Sequence, residues 1–187
     1  MTNDFGNGES LFFTHGGYRN LQSYQMSTIV YDLTVKFCDS FVNKWSRTKD
    51  QMVQAARSGR QNIAEGSQVA GTSKKTEIKL TSVARASLEE LLIDYEDFLR
   101  QRNFVMWAKK SSEAKMVRNL AYGKDRSYLS YSSYLKNSEQ AANALICLIH
   151  QTNYLLDRQL KKLSEEFLNQ GGFTERLYNK RQEYKRN

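Results

Sequence analysis

The residues of this chain best suited to chemistry are its cations and its tyrosines. Lys109, Lys110, Lys115, Arg118, Lys124 and Arg126 fall in one stretch, interleaved with Tyr122, Tyr128, Tyr131 and Tyr134. A second set, Arg176, Lys180 and Arg181, stands near the C-terminus beside Tyr178 and Tyr184. Cations neutralise phosphates and release counterions, and aromatic rings stack on unpaired bases. The mixture therefore suits RNA or single-stranded DNA, with Tyr128 and Tyr131 as the candidates for base stacking. The competing reading is a solvated loop and a docked tail whose tyrosines cover helix ends. Charge placement singles out these two segments either way. Residues 103–137 hold seven Lys or Arg against two acidic residues, and residues 173–187 hold five against two, which accounts for the whole net charge of +8. The rest of the chain is neutral.

Other chemistries find little support. The two histidines, His15 and His150, belong to no HExxH spacing, and no CxxC pair or glycine-rich phosphate loop is present. Glu89, Glu90, Asp94, Glu96 and Asp97 crowd one stretch, but a di-metal carboxylate bundle would need Glu-x-x-His pairs facing inward. They read as solvated or interface charge. Cys38 and Cys147 lie far apart in apolar helical segments and read as buried free thiols in a reducing compartment. No catalytic residue, metal or cofactor is predicted, and the chain reads as non-enzymatic. No apolar run approaches the ~20 residues that span a bilayer. The opening MTNDFGNGES lacks the basic and apolar regions of a signal peptide, so a cytoplasmic protein is expected.

The elements that must position these residues are helical. With 187 residues, no proline and 40% hydrophobic residues, the chain suits one all-α domain with a full core. Residues 1–17 read as a polar arm carrying the apolar triplet Leu11-Phe12-Phe13. Residues 18–170 read as an antiparallel four-helix bundle, with helices over 21–44, 49–65, 74–102 and 138–169. Met26, Ile29, Val30, Leu33, Phe37 and Phe41 mark the inward stripe of the first. Leu80, Ala84, Ser87, Leu91, Tyr95 and Phe98 mark that of the third, and Ala142, Leu145, Ile149, Leu156, Leu160 and Leu163 that of the last. The second carries Ala55, Ala56, Ser58 and Gly59 along its face, which predicts the tightest packing there. Thr48 with Gln51 reads as its capping box, and Gly66 as the glycine that ends it. Ser73 caps the third helix. Asn62 and Glu65 have two readings, a polar surface that touches a ligand, or an interior hydrogen bond and an ion-pair partner for Arg57 or Arg85. Residues 103–137 form a basic insertion before the last helix, with one short helix near 112–121 and a turn at 123–126. Gly171-Gly172 ends the last helix, and 171–187 is a basic tail, amphipathic and helical only with a partner.

Gln51, Ala55, Ala56, Ser58 and the run Asn62-Ile63-Ala64-Glu65-Gly66 resemble the four-helix-bundle family encoded by intervening sequences in large-subunit ribosomal RNA genes. Ala84-Arg85-Ala86-Ser87-Leu88-Glu89-Glu90-Leu91 is similar to that family's next helix, and Tyr24-Gln25 fits its first. The insertion and the GGFTERLY tail resemble its longer "four helix bundle suffix" branch. The resemblance implies a homo-oligomeric ring, usually a pentamer. It also extends to the accessory proteins of diversity-generating retroelements, which bind RNA and a reverse transcriptase. An oligomeric nucleic-acid-binding accessory is thus the expected function. A protein–protein scaffold that ignores nucleic acid, with some other protein partner, is the alternative.

Overall fold

A computed structural model of the chain describes residues 17–123 and 127–186. The described residues are helical, with no strand among them. Four long helices dominate: α1 (Gln22–Phe41), α2 (Arg47–Val69), α3 (Lys74–Gln101) and α5 (Ser138–Gln170). A short α4 (Ser112–Leu120) and a 3-10 segment (Tyr128–Lys136) lie between α3 and α5, and α6 (Phe173–Arg186) follows them. A further 3-10 turn (Tyr18–Asn20) leads into α1. The triplet Leu11-Phe12-Phe13 and the turn residues Lys124, Asp125 and Arg126 lie outside the described residues. Among the described residues, no helix is long and apolar enough to cross a membrane.

α1 packs on α2 and α5, and α3 packs on the same two helices, so the four share one core. Phe37 sits at its centre, edge-on to Tyr95 at 5.0 Å and to Phe98 at 4.8 Å between ring centroids. Such edge contacts place a positive ring edge on a negative face. The fully buried Tyr95 hydroxyl donates to Thr34 Oγ1 at 3.0 Å, which gives the only polar atom of that ring a partner. The inward stripe expected for the first helix is buried from Met26 to Phe37, with Phe41 half-buried at the end.

Three helix ends differ from the sequence reading. α1 stops at Phe41 rather than 44, because Val42 turns extended and Asn43 Oδ1 accepts the Trp45 amide at 2.9 Å. This is the local side-chain turn that asparagine favours over helix. The cap of α2 is Ser46, whose hydroxyl accepts the Thr48 amide at 3.2 Å, so Thr48 lies inside the helix it was expected to start. Gly66 does not end α2. The helix runs on to Val69, and Gly66 is buried where a Cβ would stand 3.4 Å from the Glu77 carbonyl oxygen and from Leu80 Cβ. The glycine there serves a close helix approach, not a left-handed turn. Ser73 caps α3 as expected, accepting from the Thr76 amide at 3.2 Å.

The expected tight face of α2 is present. A Cβ on Gly59 would fall 2.8 Å from Leu88 Cγ and Cδ2, well inside contact distance. One residue earlier on each helix, Ser58 Oγ and Ser87 Oγ share a hydrogen bond of 2.9 Å across the same seam. At the other end of the molecule Lys74 pairs with Glu77 at 3.0 Å and with Glu166 of α5 at 3.3 Å. Burial raises the Glu77 carboxyl above its ordinary value, against the opposing pull of Lys74.

The two glycines of α2 should respond oppositely to alanine. Gly66→Ala adds a methyl in ordinary contact and removes the flexibility cost of a mid-helix glycine, so it should stabilise by up to about 1 kcal/mol. Gly59→Ala gains the same propensity but drives a methyl into Leu88, and overpacking costs about 1–3 kcal/mol. Urea unfolding should therefore show Gly59→Ala less stable than the parent and Gly66→Ala at least as stable. Equal effects would mean that the seam can open without cost.

Candidate nucleic-acid interface

The basic insertion is fastened to α5 through its backbone. Asn143, 1% exposed, accepts the Trp107 amide on Oδ1 at 2.7 Å and donates from Nδ2 to the Val105 carbonyl at 2.9 Å. Glu139 Oε1 accepts the Val105 amide at 3.0 Å. A side-chain amide that meets both an N–H and a C=O of an irregular segment stands in for a sheet partner. The insertion then lays α4 and the 3-10 segment against α5, burying Ala114, Val117 and Tyr131. That covering explains why every residue of α5 from Ala141 to Ile149 is buried, where the sequence predicted a single inward stripe.

On this frame the predicted cations take different places. Lys109, Lys110 and Lys115 are exposed. Arg118 is half-buried, and its guanidinium donates from Nη2 to the Lys109 carbonyl at 2.7 Å. It ties the end of α4 to the lysine-bearing loop, and so carries a structural duty beside any phosphate contact. Ser111 caps α4 through the Ala114 amide at 3.2 Å, which fixes Lys110 directly before the first turn. Lys124 and Arg126 lie outside the described residues. In α6, Arg181 is exposed while Arg176 and Lys180 are half-buried. α4 packs on α5 and the 3-10 segment.

The two tyrosines chosen for base stacking divide. Tyr128 is half-buried, with the Lys36 ammonium 4.8 Å from its ring centroid. Tyr131 is 1% exposed and belongs to the core. Its ring is covered on all sides by the protein, so the expectation that it stacks on a base is corrected. In the nine-residue 3-10 segment side chains three apart eclipse, and Tyr128, Tyr131 and Tyr134 therefore stack along one inward edge. The sequence could not show this, because a serine- and tyrosine-rich run carries no helical stripe of its own.

Asn62 is half-buried, and its Nδ2 donates to the Ser58 carbonyl at 2.9 Å and to Ser58 Oγ at 3.1 Å. Glu65 is exposed. Arg85, one of its two expected partners beside Arg57, instead pairs with Glu89 at 2.7 Å and with Asp157 of α5 at 3.0 Å. Of the run 62–66, only Gly66 with Ile63 enters the core. Cys38 is buried 4.0 Å from the Met52 sulfur, and burial pushes its thiol up to about 12. Cys147 is raised for the same reason, so neither is poised as a thiolate. Tyr154 and Arg158 of α5, both exposed, were passed over in the sequence; their i, i+4 spacing was the available signal.

Comparisons with family models, with curated proteins and with solved structures give no match for the chain.

Burial separates the two tyrosines in a way that can be measured. Tyr131→Ala should cost about 3–5 kcal/mol, the usual range for deleting a buried aromatic ring. Tyr128→Ala, at the rim, should cost a smaller part of that. Thermal unfolding of the two variants side by side tests this, and similar melting temperatures would place Tyr131 outside the core.

Proposed function

We propose that this protein is a non-enzymatic, cytoplasmic, oligomeric antiparallel four-helix bundle that binds RNA or single-stranded DNA through its insertion. The bundle reading is supported by the pairing of α1 and α3 with α2 and α5 around one core. The connections 42–46 and 70–73 are short enough that successive helices must run back along one another. The residues at Asn62–Gly66 and Ala84–Leu91 carry the resemblance to the family of ribosomal RNA intervening sequences. The related accessory proteins of diversity-generating retroelements bind RNA and a reverse transcriptase.

One observation carries the nucleic-acid reading. Lys109, Lys110 and Lys115 are all exposed on a segment that Asn143 and Arg118 hold in place, and no carboxylate among the described residues pairs with them. Elsewhere cations such as Lys49, Lys74, Arg85 and Arg100 are matched to Asp or Glu within 3.3 Å. Unmatched cations on a fixed frame keep their full charge for an anionic partner and lose little entropy on binding.

Oligomerisation is supported by the outer face of α3. Val83 is 40% and Ile93 53% exposed, in line with Glu90 and Asp97 along the helix. Burial raises the Asp94 carboxyl, and the neighbouring Glu90 and Asp97 raise it further. A second copy placed over this face would cover the apolar residues and bring cations to the acidic ones.

Two measurements test these readings. Replacing Lys109, Lys110 and Lys115 together by glutamine should weaken binding to an RNA single strand. The slope of log affinity against log salt should fall by about two, at ~0.7 per phosphate contact. The melting temperature should hold, because all three side chains are in solvent. Unchanged affinity would leave the insertion a solvated segment and favour the protein scaffold. Light scattering at micromolar concentration should give several times 21.7 kDa, five times for a pentamer. A monomer at that concentration would end the oligomer reading.

A further inference from the structure

Between α1, the end of α4 and the middle of α5 lies an open cleft of about 250 Å³. Met26 and Ala121, both buried, contribute an apolar floor. Tyr122, in the turn after α4, and Tyr154, on α5, line it and remain 82% and 61% exposed. Pairs of large aromatic rings left so exposed at one cleft are unusual, since burying such rings is strongly favourable. Arg158 also lines the cleft, with its guanidinium 6.0 Å from the Tyr154 ring centroid. No carboxylate among the described residues pairs with it.

Gln151 supplies the polar group. Its Nε2 donates to the Arg118 carbonyl at 3.2 Å, at the end of α4. Its Oε1 is buried and accepts no hydrogen bond among the described residues. A buried acceptor left without a donor is costly, and a ligand N–H would relieve it. Reaching Oε1 needs the amide to turn toward the cleft, a terminal torsion with a broad, shallow profile.

We infer that this cleft seats one unstacked nucleobase of a single-stranded nucleic acid, between Tyr122 and Tyr154, with Arg158 on the adjoining phosphate. The inference rests on the nucleic-acid reading above and names the place where bases, as distinct from phosphates, are held. Size agrees: pockets for drug-sized ligands run from about 300 Å³ upward, so this one suits a single ring system. The chemistry agrees as well. Two π-faces take any base, an acceptor takes the N–H that every base carries on its pairing edge, and a free guanidinium takes a phosphate. A paired duplex offers neither an open face nor a free edge. The lysines of the insertion contribute charge at a separate place, joined to this one through Arg118, whose side chain meets the lysine loop and whose carbonyl meets Gln151.

The test compares a fluorescent twelve-nucleotide RNA strand with its duplex, by anisotropy over a range of salt. Tyr122→Ala and Tyr154→Ala should each weaken single-strand binding on the order of tenfold. Neither should change duplex binding, the salt slope or the melting temperature. Arg158→Gln should lower the salt slope by about one contact. A uridine strand methylated at N3 has no pairing-edge donor and should bind the parent protein more weakly than its unmethylated counterpart. That arm probes the Gln151 acceptor without altering the protein. If the tyrosine variants bind single strands like the parent while the lysine variant does not, the cleft inference fails and the nucleic-acid reading survives. If the parent binds no strand at all, both fail together.

Discussion

Gly59 lies so close to Leu88 that an added methyl would stand 2.8 Å from its side chain, and the rest of the architecture depends on that approach. Two helices normally run about 8–10 Å apart, with the spacing set by the side chains between them. Where one helix offers Ala55, Ala56, Gly59 and Gly66, its partner can come nearer along several turns. The reward is dense packing of α3 side chains against the α2 backbone, and Leu88 is wholly buried as a result. The same approach brings Ser58 and Ser87 into hydrogen-bond range, so the seam has a fixed register as well as a fixed distance. With α2 and α3 locked, α1 and α5 have one groove each to fill.

The insertion is a second layer built on that frame. α5 turns a nearly continuous apolar run, Ala141 to Ile149, to all sides, a pattern that would leave one face wet if only the long helices packed on it. Ala114, Val117 and Tyr131 cover this face. Asn143 reconciles the two demands at that point, for it is buried with the core yet pairs its amide with the backbone of the covering segment. The outcome is a basic segment with an apolar underside, held still by hydrogen bonds whose loss would strand buried donors and acceptors. A loop with only charge would have had no reason to stay in one place.

Much of this was legible in the sequence, for identifiable reasons. The stripes of α1 and α3, the cap at Ser73 and the small-residue face of α2 all express local rules or a 3.6-residue period. Gly66 was misread because a glycine after a helical run signals both an end and a close approach, and only the neighbour's position decides between them. Tyr131 was misread because a 3-10 segment eclipses residues three apart, whereas the serines between the tyrosines suggest an exposed run. Pairings across the chain were beyond local rules. Arg85 could have met Glu65 by spacing alone, but the position of α5 gives it Asp157 as well as Glu89. Of the candidate site, the lysines were readable from charge, while the partnership of Tyr122 with Tyr154 required knowing that the end of α4 lies over α5.

The distribution of charge separates the two uses a cation can have. Among the long helices, Arg85 of α3 bridges to α5 through Glu89 and Asp157, and Asn153 Nδ2 donates to the same Glu89 oxygen at 3.1 Å. Lys74 does likewise through Glu77 and Glu166. Such charges are consumed by the structure, and desolvation of the partly buried groups leaves little net gain in stability. Their value lies in fixing which helices meet and in what register. The cations of the insertion differ, because backbone hydrogen bonds and apolar packing already hold that segment in position. Lys109, Lys110 and Lys115 are therefore not required for folding, and an excess of positive charge there adds only self-repulsion to the isolated protein. A phosphate backbone removes that repulsion on binding. The proposed nucleic-acid reading rests on this exposed, unmatched charge on a pinned outer segment.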